Sequence, residues 1–304
     1  MKFLLDLFKK KPAVEMVDVT RRFDLIGRIG QGSMSKVWRA RDAMTGKMIA
    51  LKILDREKTR RYEARFVGFN KPTEGEVALQ LRHPNIVRTF EFGTTTEETQ
   101  YLVMEFIEGV SLSYLIDVQN EVMRKNRLRF VLQIGKALKY FHDQNWIHRD
   151  ICPRNVLLNE DYQVKLIDFG LVVPNTENFQ KPGNRTGTAN YMAAELIKRL
   201  WTDQRIDIFS YGVTCYEIYT KRFPWDVSSE VTLDMLVQHM NRPPKDIREF
   251  APDIDDQIAE AIMKSLAGNP DDRWQTVREM LIPLRETKKR LEPENVDEQA
   301  EQPQ

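Results

Sequence analysis

The stretch that decides the fold is IHRDICPRNVLL, residues 147–158. His148, Arg149 and Asp150 stand together, and Asn155 follows five residues after the aspartate. A carboxylate at Asp150 can accept a hydroxyl proton, and the Asn155 side chain can bind a metal ion. Eight residues beyond Leu158 begins LIDFG, which places Asp168-Phe169-Gly170 at the end of an apolar run. A carboxylate there suits Mg²⁺, which prefers one or two carboxylates together with phosphate oxygens. Taken singly, each of these aspartates reads as a turn residue. Their order and spacing in one chain give the segment its meaning.

The chain around it has 304 residues, with 46 Lys plus Arg against 45 Asp plus Glu. A charge of +1 lacks the basic excess of a nucleic-acid binder, so no nucleic-acid partner is expected. The 41% hydrophobic content supports a packed core. No apolar run reaches the length of a membrane span. Cys152 and Cys215 cannot build a disulfide framework, and with no secretory signal the cytoplasm is the expected compartment. The four histidines, His83, His142, His148 and His239, lack zinc-site spacing. Residues 1–18 form an amphipathic extension in which Phe3, Leu4, Leu7 and Phe8 share a helical face before three lysines. It docks on the body or frays, and membrane contact is conceivable only through residues 1–11. Residues 289–304 read as an acidic, solvated tail.

Between these ends, residues 20–104 alternate apolar and polar positions in short runs such as KVWRARD, KMIALKIL and TQYLVMEF, which predicts strands. One helix is expected to interrupt them, with Asn70 and Pro72 as start signals. Beyond Gly109 the spacing turns helical, as in FVLQIGKALKYFHDQ and DIFSYGVTCYEIYT. A sheet-rich first third and a helix-rich remainder predict an α+β protein with two lobes. Within the first third, Gly30-x-Gly32 lies between two strand-like stretches, where glycine lets backbone amides approach a phosphate. Lys52, inside an apolar strand, marks a solvent face or holds phosphates. The second use needs a carboxylate partner, for which Glu74 is the candidate and Glu76 the competitor. Gly75 between them weakens a helix by about 1 kcal/mol relative to alanine.

With these residues in hand, the chain resembles the eukaryotic-type protein kinase family, most like its serine/threonine branch. The resemblance runs from Phe23 to Leu284 through GQGSMSKV, IALK, the helix glutamate, HPNIV, YLVMEF, HRDxxxxN, DFG, GTANYMAAE, DIFSYG and DDRW. It implies a bilobal fold: a small β-rich N-lobe with one main helix (19–104), a hinge (105–109) and a larger α-helical C-lobe (110–288). It implies ATP and Mg²⁺ and a protein substrate offering a serine or threonine hydroxyl. An upstream activator, or a second copy acting in trans, is an implied partner. Asp150 resembles the catalytic base, and Asn155 and Asp168 the metal ligands. Lys52 resembles the lysine on the α/β-phosphates, with Glu74 its partner. Ile29, Gly30, Gly32, Val37, Ala50 and Leu157 would enclose the nucleotide. Met104 would be the gatekeeper, Glu105 and Ile107 the hinge contacts, and Ser111 a neighbour of the ribose. Phe169 and His148 would belong to a stack, Glu195 and Arg273 to a buried ion pair, and Asp207 would anchor the catalytic loop.

The departures bear on mechanism. The serine/threonine branch carries lysine two residues after the base, where this chain has Cys152. Arg154, four residues after the base, occupies the place where tyrosine kinases carry an arginine of similar purpose. Ala194 replaces a proline and Ser35 the third loop glycine. Thr186 is the expected phosphosite of the activation segment, with Arg149 as its pairing cation, and Thr188 is expected to contact the base. The alternative to an active kinase is a nucleotide-binding pseudokinase or scaffold, for which Cys152 is the motive. A small-molecule kinase of related fold would lack the GTANYMAAE segment and the DDRW arginine.

Overall fold

The computed structural model describes residues 16–32, 34–183, 185–226 and 241–292. The expected amphipathic helix of residues 1–12 lies outside these residues, as do His239 and the part of the expected 289–304 tail beyond Glu292; residues 289–291 belong to the end of a helix. The chain divides into two compact units. The first holds the described residues up to Arg82 together with Val87–Ile107, and the second holds His83–Ile86 and the described residues from Glu108 onward.

In the first unit, α1 (Val19–Arg22) leads into β1 (Phe23–Gln31), β2 (Ser35–Asp42) and β3 (Met48–Leu54). Helices α2 (Arg56–Glu63) and α3 (Glu74–Gln80) follow, then β4 (Thr89–Thr94) and β5 (Gln100–Glu105). The strands form one antiparallel sheet in the order β1-β2-β3-β5-β4. Register sorts their side chains, because directly opposed residues share a face and neighbours along a strand do not. Ile49 and Leu51 join a core with Phe23, Ala40, Tyr101 and Val103. Ala50 and Lys52 therefore lie on the other face, where Val37 opposes Lys52 and Met104 opposes Ala50. Four of the expected nucleotide contacts are thus brought to one face of the sheet by period-two alternation alone.

The expectation of one helix in this unit is corrected: α2, with 8 residues, is longer than α3, with 7. Its sequence, REKTRRYE, buries only Tyr62, so it carries no apolar stripe that spacing could reveal. Its start is fixed by the Asp55 side chain, which accepts the Lys58 amide. The start of α3 also differs from the expected signal. Thr73 is the N-cap and forms a capping box with Glu76, each side chain accepting the other's backbone N–H. Gly75 is required by packing. A Cβ there would lie 2.4 Å from Cγ of Phe92 on β4. Gly75→Ala gains about 1 kcal/mol of helix propensity, but overpacking costs about 1–3 kcal/mol. The variant is therefore expected to unfold at lower temperature than the parent in calorimetry, although alanine is the better helix former.

The second unit is built on α5 (Glu121–Asp143) and α8 (Arg205–Thr220), preceded by α4 (Leu112–Val118). Short helices α6 (Glu177–Gln180) and α7 (Ala194–Ile197) lie between them in sequence. Among the described residues two further helices follow, α9 (Asp256–Ser265) and α10 (Val277–Leu291). Helix α8 is buried nearly all round, from Ile206 through Tyr216, as befits the centre of a helical body. This unit also carries two small sheets that helical spacing did not announce. Strands β6 (Gly109–Ser111), β8 (Val156–Asn159) and β9 (Val164–Leu166) form one, and β7 (Trp146–Ile147) with β10 (Val173–Pro174) the other. Their two to four residues are too few to show an alternation. Asn85 ties the 83–86 segment to this unit: its carbonyl accepts the Leu166 amide at 2.8 Å and its Nδ2 donates to the Val164 carbonyl at 3.0 Å.

Candidate active site

Each unit carries its own part of the expected machinery. In the first, Lys52 Nζ donates to Glu74 Oε1 at 2.5 Å, with both side chains buried. The competition between Glu74 and Glu76 is resolved by the capping box, because Glu76 is committed to the helix end. Gly30 lies near the end of β1 opposite Val37, and Gly32 directly follows the strand, its amide donating to the Ser35 carbonyl at 3.0 Å. Ile29 is half exposed on β1. Met104 is buried on β5, and the Glu105 amide donates to the Arg88 carbonyl at 2.9 Å. Ile107 closes this unit.

In the second unit, the segment 147–158 is held by a single buried carboxylate. Asp207, fully buried on α8, accepts the amides of His148 at 2.7 Å and Arg149 at 2.8 Å, and Nε2 of His142 lies 3.0 Å away. Burial alone would raise its pKa; the contacts with His142 and His148 outweigh that and hold it below the usual carboxylate range. Burial drives the pKa of His148 down, which keeps its ring neutral, so that Nδ1 can accept the Asp150 amide at 3.3 Å. The His148 ring meets Phe141 of α5 and Phe169, with centroids 5.2 and 6.0 Å away, and Phe141 lies 5.5 Å from Phe169. Arg149 and Asp168 both adopt left-handed backbone, at φ 69° and 68°, a conformation that non-glycine residues hold only where the surroundings impose it.

The Asp150 carboxylate is held from two sides. Asn155 Nδ2 donates to its Oδ2 at 2.8 Å and to its carbonyl at 2.9 Å. The Thr188 amide donates to Oδ1 at 2.8 Å. Thr188 thus touches the expected base through its backbone, while its hydroxyl lies 3.9 Å from the Cys152 sulfur. Because Asn155 spends its Nδ2 on Asp150, its Oδ1 acceptor is left for a cation. The Asp168 carboxylate also accepts the Gly170 amide at 3.2 Å. One amide oxygen and one carboxylate are a donor set of hard oxygens, which fits Mg²⁺ rather than a soft metal. Among the described residues no cluster of three or more His, Cys, Asp or Glu could cage a metal without further ligands. Leu157 lies on β8 opposite Ser111, whose hydroxyl oxygen accepts the Tyr114 amide as the cap of α4.

Cys152 is buried, and burial pushes its thiol up to about 12, so at neutral pH it is a small uncharged group. Arg154 is exposed on the same loop. Glu195 and Arg273 form the expected buried pair, bidentate at 2.6 and 2.9 Å. Thr186 is buried, and its hydroxyl has no partner among the described residues. Arg149 donates to the Phe179 carbonyl at 2.7 Å.

Two residues were not found from the sequence. Tyr191 donates its hydroxyl to Glu217 of α8 at 2.5 Å, joining the segment after Thr188 to the core helix. They stand 26 residues apart with no local signal. Burial raises Glu217 to about 7, a hydrogen bond from Tyr191 works against this, and Asp117 adds to it. The folded state therefore holds a proton that the unfolded chain, at 4.5, has lost. The contribution of this group is complete below about pH 4.5 and falls away as pH rises through about 7. Glu217→Gln is expected to remove that slope in urea-unfolding curves measured from pH 5 to pH 8.

Comparisons with known proteins show the family to which the chain belongs. The protein kinase domain family matches residues 23–282, and the chain belongs to that family. It is similar to a probable serine/threonine-protein kinase of Clostridium perfringens, 31% identical over 270 residues, covering 88% of this chain and 38% of that protein. It is 30% identical over 269 residues to the serine/threonine-protein kinase PknB of Mycolicibacterium smegmatis, covering 86% and 42%. PrkC of Bacillus subtilis, also a serine/threonine-protein kinase, is 27% identical over 269 residues, covering 86% and 40%. The chain thus spans about two fifths of the length of these curated relatives. No helix among the described residues is long and apolar enough to cross a membrane.

Proposed function

We propose that this chain is an ATP-dependent protein kinase that transfers the γ-phosphate to serine or threonine hydroxyls of proteins, itself included, within a domain of residues 19–288. The observation that carries this reading is the Asp150 carboxylate, fixed by Asn155 on one oxygen and by the Thr188 amide on the other. A base so held has one orientation in which to take the hydroxyl proton as the oxygen bonds to phosphorus. Lys52, braced by Glu74, would hold the phosphates, and the glycines at 30 and 32 would admit them to the backbone. Val37, Ala50, Met104 and Leu157 would enclose the adenine, with Ile29, Glu105, Ile107 and Ser111 around it. Asn155 and Asp168 would hold Mg²⁺, which when bound neutralises charge on the phosphate oxygens. Arg154 would supply the positive charge that Cys152 cannot. The free, buried cysteines suit a reducing cytoplasm.

One observation favours a second reading, a nucleotide-binding pseudokinase. Cys152 is buried and uncharged where the serine/threonine branch carries lysine. Phosphate transfer from labelled ATP to the chain itself and to a generic basic protein separates the two. Transfer that Asp150→Asn abolishes supports the kinase. Nucleotide binding with no Asp150-dependent transfer supports the pseudokinase.

A further inference from the structure

Residues 56–71, REKTRRYEARFVGFNK, cover helix α2 and the turn after it. They hold six Lys and Arg against two Glu, a net +4 in a chain whose total is +1. Only Tyr62 and Phe66 are buried, and their rings meet edge to face with centroids 5.3 Å apart. These rings fix where the charges lie. The Arg65 guanidinium is centred 5.9 Å from the Tyr62 ring, and Lys71 Nζ lies 5.3 Å from the same ring and 5.8 Å from Phe66. Cations from the two ends of the turn are thus brought to one ring. Lys71 also donates to the Pro72 carbonyl at 3.2 Å, which holds its head in place and cancels no charge. Arg61 stands four residues before Arg65 and shares its side of the helix. The nearby carboxylates are engaged elsewhere: Glu98 holds Arg56, and Glu63 accepts from Gln100 at 3.3 Å. Arg60, Arg61 and Arg65 are exposed, with no ion pair among the described residues.

Between Phe66 and Lys71 the chain turns. The Phe69 amide donates to the Phe66 carbonyl at 3.0 Å, and Gly68 takes φ 86°. A Cβ at Gly68 would meet nothing within 4 Å, so the turn stands clear of the fold. Val67 and Phe69 flank this glycine, 81% and 39% exposed, with Arg65 and Lys71 on either side. Apolar side chains at the tip of a projecting turn, flanked by cations, match a lipid interface. The apolar groups enter the boundary between headgroups and acyl chains, and the cations meet anionic headgroups. A nucleic-acid backbone would answer the cations but would leave Val67 nothing to be buried against. A protein partner would have to supply an apolar socket and an acidic rim together, whereas an anionic bilayer supplies both everywhere on its surface.

We propose that α2 and its Val67-Gly68-Phe69 tip dock on an anionic lipid bilayer, with the tip in the headgroup region and Arg60, Arg61, Arg65 and Lys71 against the headgroups. Co-sedimentation of the full chain with phosphatidylcholine vesicles, with and without phosphatidylglycerol as roughly a third of the lipid, tests it. Binding is expected only to the anionic vesicles, and it should fall in high salt. Arg60→Gln, Arg61→Gln and Arg65→Gln combined should weaken it on the order of 100-fold, since each charge at such a surface is worth about fivefold. Val67→Ser with Phe69→Ser should weaken it about tenfold or more. All five positions are exposed, so circular dichroism of both variants should match the parent. Val67→Cys carrying a polarity-sensitive dye locates the contact, because the native cysteines, Cys152 and Cys215, are buried. Its emission should shift to the blue on anionic vesicles, and the same dye at Met44→Cys, exposed on the β2–β3 turn, should not shift. A parent chain that stays in solution would overturn the proposal and leave the tip to a protein partner. Equal binding to uncharged vesicles would overturn it too. So would binding that either variant retains in full, as when residues 1–11 alone carry it, or a dye at position 67 that stays in water while the chain is bound.

Discussion

Asp150→Asn is expected to lower phosphate transfer by on the order of 10²–10⁴-fold, the usual contribution of a positioned general base. The amide has nearly the shape of the carboxylate and keeps one acceptor oxygen, so either Asn155 or the Thr188 amide retains its bond. The variant should therefore fold, and its unfolding free energy should stay within about 1–2 kcal/mol of the parent, the scale of one lost hydrogen bond. Initial-rate transfer assays beside thermal unfolding check both halves. A rate loss with an intact fold locates the defect in proton transfer. An unchanged rate would remove Asp150 from the chemistry.

The second large effect is one of stability. Arg273 is fully buried, and its guanidinium donates to both Glu195 oxygens and to the carbonyls of Ala267, Arg205 and Gly268. It also lies 4.9 Å from the centre of the Phe209 ring on α8. Removing one partner of such a pair strands the other charge and costs about 3–5 kcal/mol. Arg273→Ala is therefore expected to lower the unfolding temperature by roughly 10 °C, since a chain of this size loses about 2–4 °C per kcal/mol. The double substitution Glu195→Leu with Arg273→Met should recover much of this loss, because neither charge is then left buried. Calorimetry of the parent, Glu195→Leu, Arg273→Met and the double variant closes the cycle.

The parts of the site that the sequence made legible are those fixed by short spacing. Asp150 and Asn155 stand five residues apart on one loop, and their side chains meet. Lys52 declared itself by charge inside an apolar strand. Glu74 is the partner the sequence favours, with Glu76 its competitor across Gly75; Lys52 meets Glu74, and the capping box commits Glu76 to the helix end. Gly75 read as a defect in a helix until Phe92 showed what the missing side chain makes room for. The α2 helix was hidden because it buries one residue and is held by its cap and surface charge. Contacts across long separations left no trace in spacing: Tyr191 with Glu217, and His142 with Asp207.

The seat of the Thr188 segment has one more consequence. Gly187 stands at φ 131°, so close to the Arg149 carbonyl that a Cβ would come within 2.6 Å of the oxygen, and the next amide is the one that holds Asp150. Lifting the segment and freeing Oδ1 of the Asp150 carboxylate are therefore a single event, one latch with two faces, while Asn155 keeps Oδ2. Hydrogen exchange at the Thr188 amide counts how often that latch opens. Any ligand or modification that slows this exchange also lengthens the time for which Asp150 is aimed.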